Sequence, residues 1–341
     1  MNSNDRKINN LFLYWLIASL FLVFLIIIVG GLTRLTNSGL SIIEWELIKG
    51  ILPPLSKNSW EKYFALYKTI PQYKLINYNM SLNEFKIIFY WEYFHRMLAR
   101  LIGLFFIIPM IYFYLSKKIE KKKIHICFVI AALIIFQGVI GWYMVKSGLT
   151  NDITVSHYRL AIHLTTAILI ITSIFWLIKN ILSNKIKKFF YISNNNIPFQ
   201  ILILLIFFQI IMGAFVSGLD AGKIYQTWPL MGGTFIPDDL YFKNLKEILD
   251  FNNHSLIQFY HRNLAYVIIL YSLILSAFIY VNKIINLYKS LNILLLLIFL
   301  QVILGIITLI SGLNIYIASL HQITSVLLIF SALNLYYLNT K

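Results

Sequence analysis

Apolar residues run along this chain in blocks of roughly twenty, separated by polar stretches that carry most of the lysines. Eight blocks stand out, at 11–31, 87–115, 125–145, 158–178, 198–217, 256–281, 291–311 and 318–338. As a helix, each is long enough to cross a hydrocarbon core of about 30 Å. The pattern predicts an all-α integral membrane protein with eight transmembrane helices. The start "MNSNDRKINN" leads into an apolar run too long for a signal peptide, ending in "GGLTR" without a small-x-small cleavage site, so it reads as the first membrane helix.

Orientation follows from the short loops. Lys117, Lys118, Lys121, Lys122 and Lys123 separate the second and third blocks, Lys179, Lys185, Lys187 and Lys188 the fourth and fifth, and Lys283 and Lys289 the sixth and seventh. The positive-inside rule then places both termini in the cytoplasm. The segment 32–86 also bears lysine, but it is long and mixed with Glu44, Glu46, Glu61 and Glu84, so it carries little topological weight.

An internal repeat divides the chain. "GGLTRLTNSGLSIIEWELIKGILPP" from Gly30 aligns without gaps with "GAFVSGLDAGKIYQTWPLMGGTFIP" from Gly213, pairing Gly39 with Gly222, Trp45 with Trp228, Leu47 with Leu230, Gly50 with Gly233 and Pro54 with Pro237. "FQGVIGWYMVKSGL" from Phe136 matches "LQVILGIITLISGL" from Leu300, and "FHR" at 94–96 matches "YHR" at 260–262. The expectation is two pseudo-symmetric four-helix bundles in the same orientation, residues 1–188 and 189–341.

Composition agrees with this class: of 341 residues 59% are hydrophobic and 12% charged, more apolar than a soluble core of this size can use. The net charge of +16 would suit nucleic acid, but the cations lie between apolar runs and not on one face, so anionic lipid explains them better. Cys127 is the single cysteine, which excludes a disulfide framework and a thiolate metal site.

Four of the seven histidines, His95, His163, His261 and His321, fall on different even-numbered helices, one or two turns inside the outer end. One such residue would read as a hydrogen bond between helices; four at matched depth, related by the repeat, point to a shared task. His125 and His254 sit at block ends, where water reaches them. His157 competes with His163, because a gapless extension of the second repeat aligns it with His321; His163 lies deeper in the apolar stretch. Zinc and copper sites usually add carboxylates or thiolates, and only Glu92 is near. A b-type haem needs one axial histidine from each of two helices and an apolar slot, so one haem site per half fits the count. Gly103, Gly138, Gly141, Gly213 and Gly305 permit close approach, and Arg34, Arg96, Arg159 and Arg262 are candidate partners for haem propionates, or cations that merely snorkel.

The halves differ three residues before the first histidine: Glu92 precedes His95, whereas Gln258 precedes His261. A carboxylate accepts a proton or steadies a developing cation and an amide does not titrate, so the first half is the candidate for chemistry and the second for electron transfer. Burial would raise the carboxyl pKa. A structural pair with Arg96 or Arg159 is the competing reading.

The motifs "GGLTRLTNSGLS", "EYFHRMLAR", "YRLAIHL", "GLDAGKIYQTWPLMGG", "FYHRNLAY" and "LHQ" resemble those of the haem A synthase family from Gly30 to Gln322, nearly the whole chain. The resemblance implies oxidation of the C8 methyl of haem O, through an alcohol and a geminal diol, to the formyl group of haem A. It implies that His95 and His163 face the substrate haem, that His261 and His321 ligate the iron of a permanent haem b, through which electrons leave, and that Glu92 assists the oxidation. One branch of the family carries a cysteine pair in the first outer loop; this chain has none there and resembles the other branch. The short hydrophilic start lacks an Arg- and Ser-rich transit sequence, which with the Ile, Asn and Lys bias points to a bacterial inner membrane. Haem O is poorly soluble, which favours handover from haem O synthase, although no docking motif marks it, and no motif identifies the electron acceptor. Two other classes remain: a quinol-linked electron carrier, which would commonly place two histidines on one helix, and a transporter of parallel repeats in which imidazoles relay protons. A haem spectrum separates them.

Overall fold

A computed structural model describes residues 3–44, 49–149, 154–241 and 244–340. Eight helices are long and apolar enough to cross a membrane. They are α1 (Ser3–Leu35), α2 (Leu82–Ser116), α3 (Lys121–Gly148), α4 (His157–Leu182), α5 (Ile197–Gly218), α6 (His254–Val281), α7 (Tyr288–Ile310) and α8 (Ile315–Asn339). Each anticipated block falls on one helix, although the helices run beyond the blocks, most of all at the starts of α1 and α2, and no strand occurs among the described residues. In lipid a helix satisfies its own backbone polar groups, which makes it the natural form for such blocks. The chain forms two compact units, Met1–Ile174 and Phe175–Lys341, with the boundary inside α4.

In the first unit α1 packs on α2 through Phe12, Trp15, Phe106 and Phe113, all buried. Phe12 meets Phe113 edge-on at 5.1 Å, and Trp15 lies 4.8 Å from Phe106. This cluster solves a backbone problem. Pro109 stands inside α2 and has no N–H, so the carbonyl of Phe105, four residues earlier, loses its helical donor. The indole Nε1–H of Trp15 donates to that carbonyl at 2.9 Å. An orphaned carbonyl that lipid would penalise is thereby satisfied by the neighbouring helix.

Helix α2 has 35 residues, about 50 Å at 1.5 Å per residue, and overshoots a bilayer core of about 30 Å. A capping box at Ser81 and Glu84 starts it early, before the apolar block begins. The extra turns carry the connection from α1, which is folded and has its own small core: Leu40, Ile42, Trp60, Tyr67, Ile70, Phe85, Ile88 and Phe89. Within it the buried Gln72 donates to the Asn37 carbonyl at 3.1 Å and accepts from the Tyr67 hydroxyl at 3.0 Å. Burial raises the Tyr67 phenol above its ordinary pKa, so it remains a neutral donor.

In the second unit, residues 219–241 fold back over the start of α6. The Tyr225 and Ser255 hydroxyls donate to the two oxygens of Asp239, at 2.7 and 2.6 Å. At the other end of this unit, Trp176 stacks on Tyr336 at 5.4 Å and donates to the Lys187 carbonyl at 3.0 Å, tying the end of α4 to α8.

The Trp15 bond gives a direct test. Replacing Trp15 by Phe strands the Phe105 carbonyl and should cost about 1–3 kcal/mol, read from denaturant unfolding in detergent. In a Pro109→Ala background the helical donor returns, so Trp15→Phe should cost distinctly less; an equal cost in both backgrounds would show that the indole does not serve that carbonyl.

Candidate functional site

Each of the four histidines lies on the flank of a helix against a bare stretch of the helix before it. A Cβ placed on Gly30 of α1 would sit 3.1 Å from His95 Nε2 on α2. The same construction gives 3.2 Å from Gly141 of α3 to His163 Cε1 on α4, 3.3 Å from Gly213 of α5 to His261 Cε1 on α6, and 3.0 Å from Gly305 of α7 to His321 Cε1 on α8. Glycine suits these positions because a side chain there would press on the ring and make it give by a few tenths of an ångström. Gly103 and Gly138, also expected to permit close approach, face open space.

The rings meet in pairs. His95 and His163 have centroids 6.4 Å apart with planes at 64°, and His261 and His321 are 6.5 Å apart at 78°. Two metal–nitrogen bonds of about 2 Å plus the inner half-widths of two five-membered rings span such a separation, so one iron fits between each pair. The Nδ1 atoms of His163, His261 and His321 are sealed and have no hydrogen-bond partner, while the four residues as a whole keep part of their surface accessible. No group of three or more His, Cys, Asp or Glu side chains is placed to hold a metal ion among the described residues.

Depth along the helices is nearly common. His163, His261 and His321 stand six, seven and six residues from the first residue of their helices, and His95 stands thirteen from the start of α2. The excess at His95 is the overshoot described above. The ring facing His95 is that of His163; His157 is buried at the first residue of α4 and packs on Tyr158 at 4.1 Å. His125 and His254 are exposed.

Glu92 is buried and fully engaged. Its Oε2 accepts from Ser41 Oγ at 2.7 Å and from the Ile42 backbone N–H at 2.8 Å, and its Oε1 pairs with Arg96 at 2.5 Å. Arg96 also donates to the Ile42 carbonyl at 2.9 Å. The carboxylate thus clasps the loop and the arginine together. The second unit repeats the design at the aligned residue: Gln258 and Arg262 both donate to the Tyr225 carbonyl, each at 2.9 Å. Ile42 and Tyr225 correspond in the 183-residue shift, so the duplicated loops are held by the same helix positions, with a carboxylate in one unit and an amide in the other.

The other cations are placed as follows. Arg34 donates to Asn37 Oδ1 at 2.9 Å. Arg159 donates to Ser147 Oγ at 2.5 Å and lies over the Tyr143 ring at 5.0 Å. Arg100, which sequence reasoning passed over, joins Arg96, Tyr93 and Ile42 around a small cleft beneath the loop. Trp45 and Leu47, paired with Trp228 and Leu230 in the repeat, lie outside the described residues.

Sequence reasoning also missed three glutamines. Gln137, Gln209 and Gln301 donate through Nε2 to the backbone carbonyls of His163, His261 and His321, at 2.9, 2.9 and 3.1 Å. Each stands four residues before the glycine under the same histidine, so the signal was a Gln-x-x-x-Gly spacing occurring three times.

Comparison with known proteins points the same way. The family model described as cytochrome oxidase assembly protein matches residues 13–333. A haem A synthase of Pelagibacter ubique is 50% identical over 333 residues, 96% of this chain and 96% of its own length. Those of Rickettsia prowazekii and Wolbachia pipientis wMel are 39% and 42% identical, covering 96% and 94% of this chain and 98% and 90% of their own.

The glycine contacts predict a graded effect. Gly305→Ala should push the His321 ring, whose contact is the tightest at 3.0 Å, and lower the haem bound per purified chain. Gly103→Ala, with nothing within 4 Å, should leave haem content unchanged. Equal haem content in both variants would mean that the ring does not need the bare helix.

Proposed function

The chain belongs to the haem A synthase family of cytochrome oxidase assembly proteins, and from that membership we propose that it oxidises the C8 methyl group of haem O to the formyl group of haem A. The observation that carries the proposal is the meeting of imidazoles two by two at iron-spanning separation, once in each unit.

In this reading His95 and His163 hold the substrate haem O, and His261 and His321 hold haem b. When bound, haem b supplies a one-electron acceptor through which electrons leave the substrate toward an external acceptor. The chain's own residues do the rest. Gly30 and Gly141 let the first pair of rings sit flush with their neighbouring helices. The apolar faces of the first unit accommodate the farnesyl tail, which enters laterally from lipid, after handover from haem O synthase.

Glu92 is placed three residues before His95 on the same helix face. One oxygen pairs with Arg96 and the other holds the loop, so the carboxyl group is aligned before the substrate arrives. From there it takes a proton, or steadies positive charge, as the methyl is oxidised. Arg34, Arg96, Arg159 and Arg262 are the cations available to the propionates. The two clasped loops cap the haems, on the outer side of a bacterial inner membrane if the lysine-rich connections and both termini are cytoplasmic.

Glu92→Gln tests the chemistry. The second unit carries Gln258 at the aligned position and holds its loop there, so the amide is compatible with the fold. The variant should keep its haem spectrum and lose formyl production by about 100-fold or more, the lower range for a general acid–base group. Extraction and identification of haems from cells that make haem O and no haem A reads the outcome. Haem A formed at the normal rate would show that Glu92 only fastens the loop.

A further inference from the structure

Three of the four histidines are gripped twice by the helix before them. On α3, α5 and α7, a glutamine and a glycine four residues apart share one helix face: Gln137 with Gly141, Gln209 with Gly213, and Gln301 with Gly305. The glycine receives the ring. The glutamine amide donates to the histidine's backbone carbonyl, which has a second lone pair beyond the one its own helix uses. Together they fix both the rotation and the axial register of the histidine-bearing helix. In the second unit the amide Nε2 also lies 3.5 Å from the imidazole Nε2 of His261 and of His321, and the Thr324 hydroxyl donates to the side-chain Oε1 of Gln301, holding that amide in its orientation.

The fourth histidine lacks this grip. Four residues before Gly30, α1 carries Ile26, which has no donor, and no side chain among the described residues hydrogen-bonds the His95 carbonyl. The strong tie between α1 and α2 is Trp15 to Phe105, ten residues farther along α2. Near His95 the tie to α1 itself is Thr33 to the Trp91 carbonyl at 3.4 Å, a long contact; Glu92 and Arg96 fasten the loop beyond α1, as Gln258 and Arg262 fasten theirs in the second unit.

We propose that Gln137, Gln209 and Gln301 are positioning residues that lock three axial ligands, and that His95, left unlocked, is the ligand that yields when substrate haem enters and product haem leaves. The inference rests on the functional reading above. A substrate site must break an iron–ligand bond at each turnover, whereas a permanent site must not. The distribution of the clamp matches this division, with both ligands locked in the second unit and one in the first.

The test measures haem release from detergent-purified full-length protein to excess apomyoglobin, together with low-temperature electron paramagnetic resonance of the low-spin haems. Wild-type protein should release haem in two phases, the faster from the first unit. Ile26→Gln installs the missing donor and should slow the fast phase about five- to tenfold, the equivalent of one hydrogen bond, leaving the slow phase alone. Gln209→Leu should accelerate the slow phase by a similar factor and shift the resonance of the second-unit haem, a signature that general loosening of the bundle would not confine to one haem. If both variants carry their haems and release them at wild-type rates, the clamp inference fails and the functional reading stands. Wild-type protein that carries no haem at all would overturn the functional reading itself.

Discussion

Everything in this molecule depends on bringing two imidazoles from different membrane helices to about six ångströms of one another and holding them there. Bare glycine surface makes the approach sterically possible, since any side chain at Gly30, Gly141, Gly213 or Gly305 would contend with a ring for the same space. Hydrogen bonds across the helix pairs set the depth. In a soluble protein the hydrophobic effect would contribute to such association. Between helices already in lipid it does not, and the work falls to close packing and a few polar bonds.

The duplication shows which parts of the design are generic. Both units fasten the loop after their first helix to the same two positions of the next helix: Glu92 and Arg96 hold Ile42, and Gln258 and Arg262 hold Tyr225. Both lay histidines on glycines. What differs is local: a carboxylate in place of an amide, a missing glutamine on α1, and a longer folded connection resting on an overextended α2. Each difference lies in the first unit or marks it off from the second, as the proposed division into a reactive, exchangeable site and a permanent one requires.

Much of this was legible in the residues. The eight helices follow from block length and apolarity, because lipid leaves the backbone few alternatives. The choice of histidines follows from depth and repetition, and the structure selects His163 over His157 as the ring facing His95. Other features were hidden for physical reasons. The start of α2 is set by the Ser81–Glu84 capping box and not by hydropathy, so the apolar block begins too late. The partners of Glu92 come from a loop some fifty residues away in sequence, and no local pattern announces such a clasp. The same holds for Trp15 and Phe105: a proline flags an orphaned carbonyl, but only packing says which side chain answers it. The glutamines were visible in the repeat, yet a Gln on an apolar helix acquires meaning only once its neighbour is known.

The central claim is that each pair of imidazoles closes on one iron porphyrin. Electron paramagnetic resonance of the purified protein, from cells that make haem O and no haem A, examines it most directly, in wild type and in His163→Ala and His321→Ala variants. The account predicts low-spin, six-coordinate haem in both units of the wild type. Each variant should lose the low-spin signal of its own unit and keep that of the other. Wild-type haem that is high-spin and five-coordinate, or a single substitution that abolishes both signals in a folded protein, would contradict it.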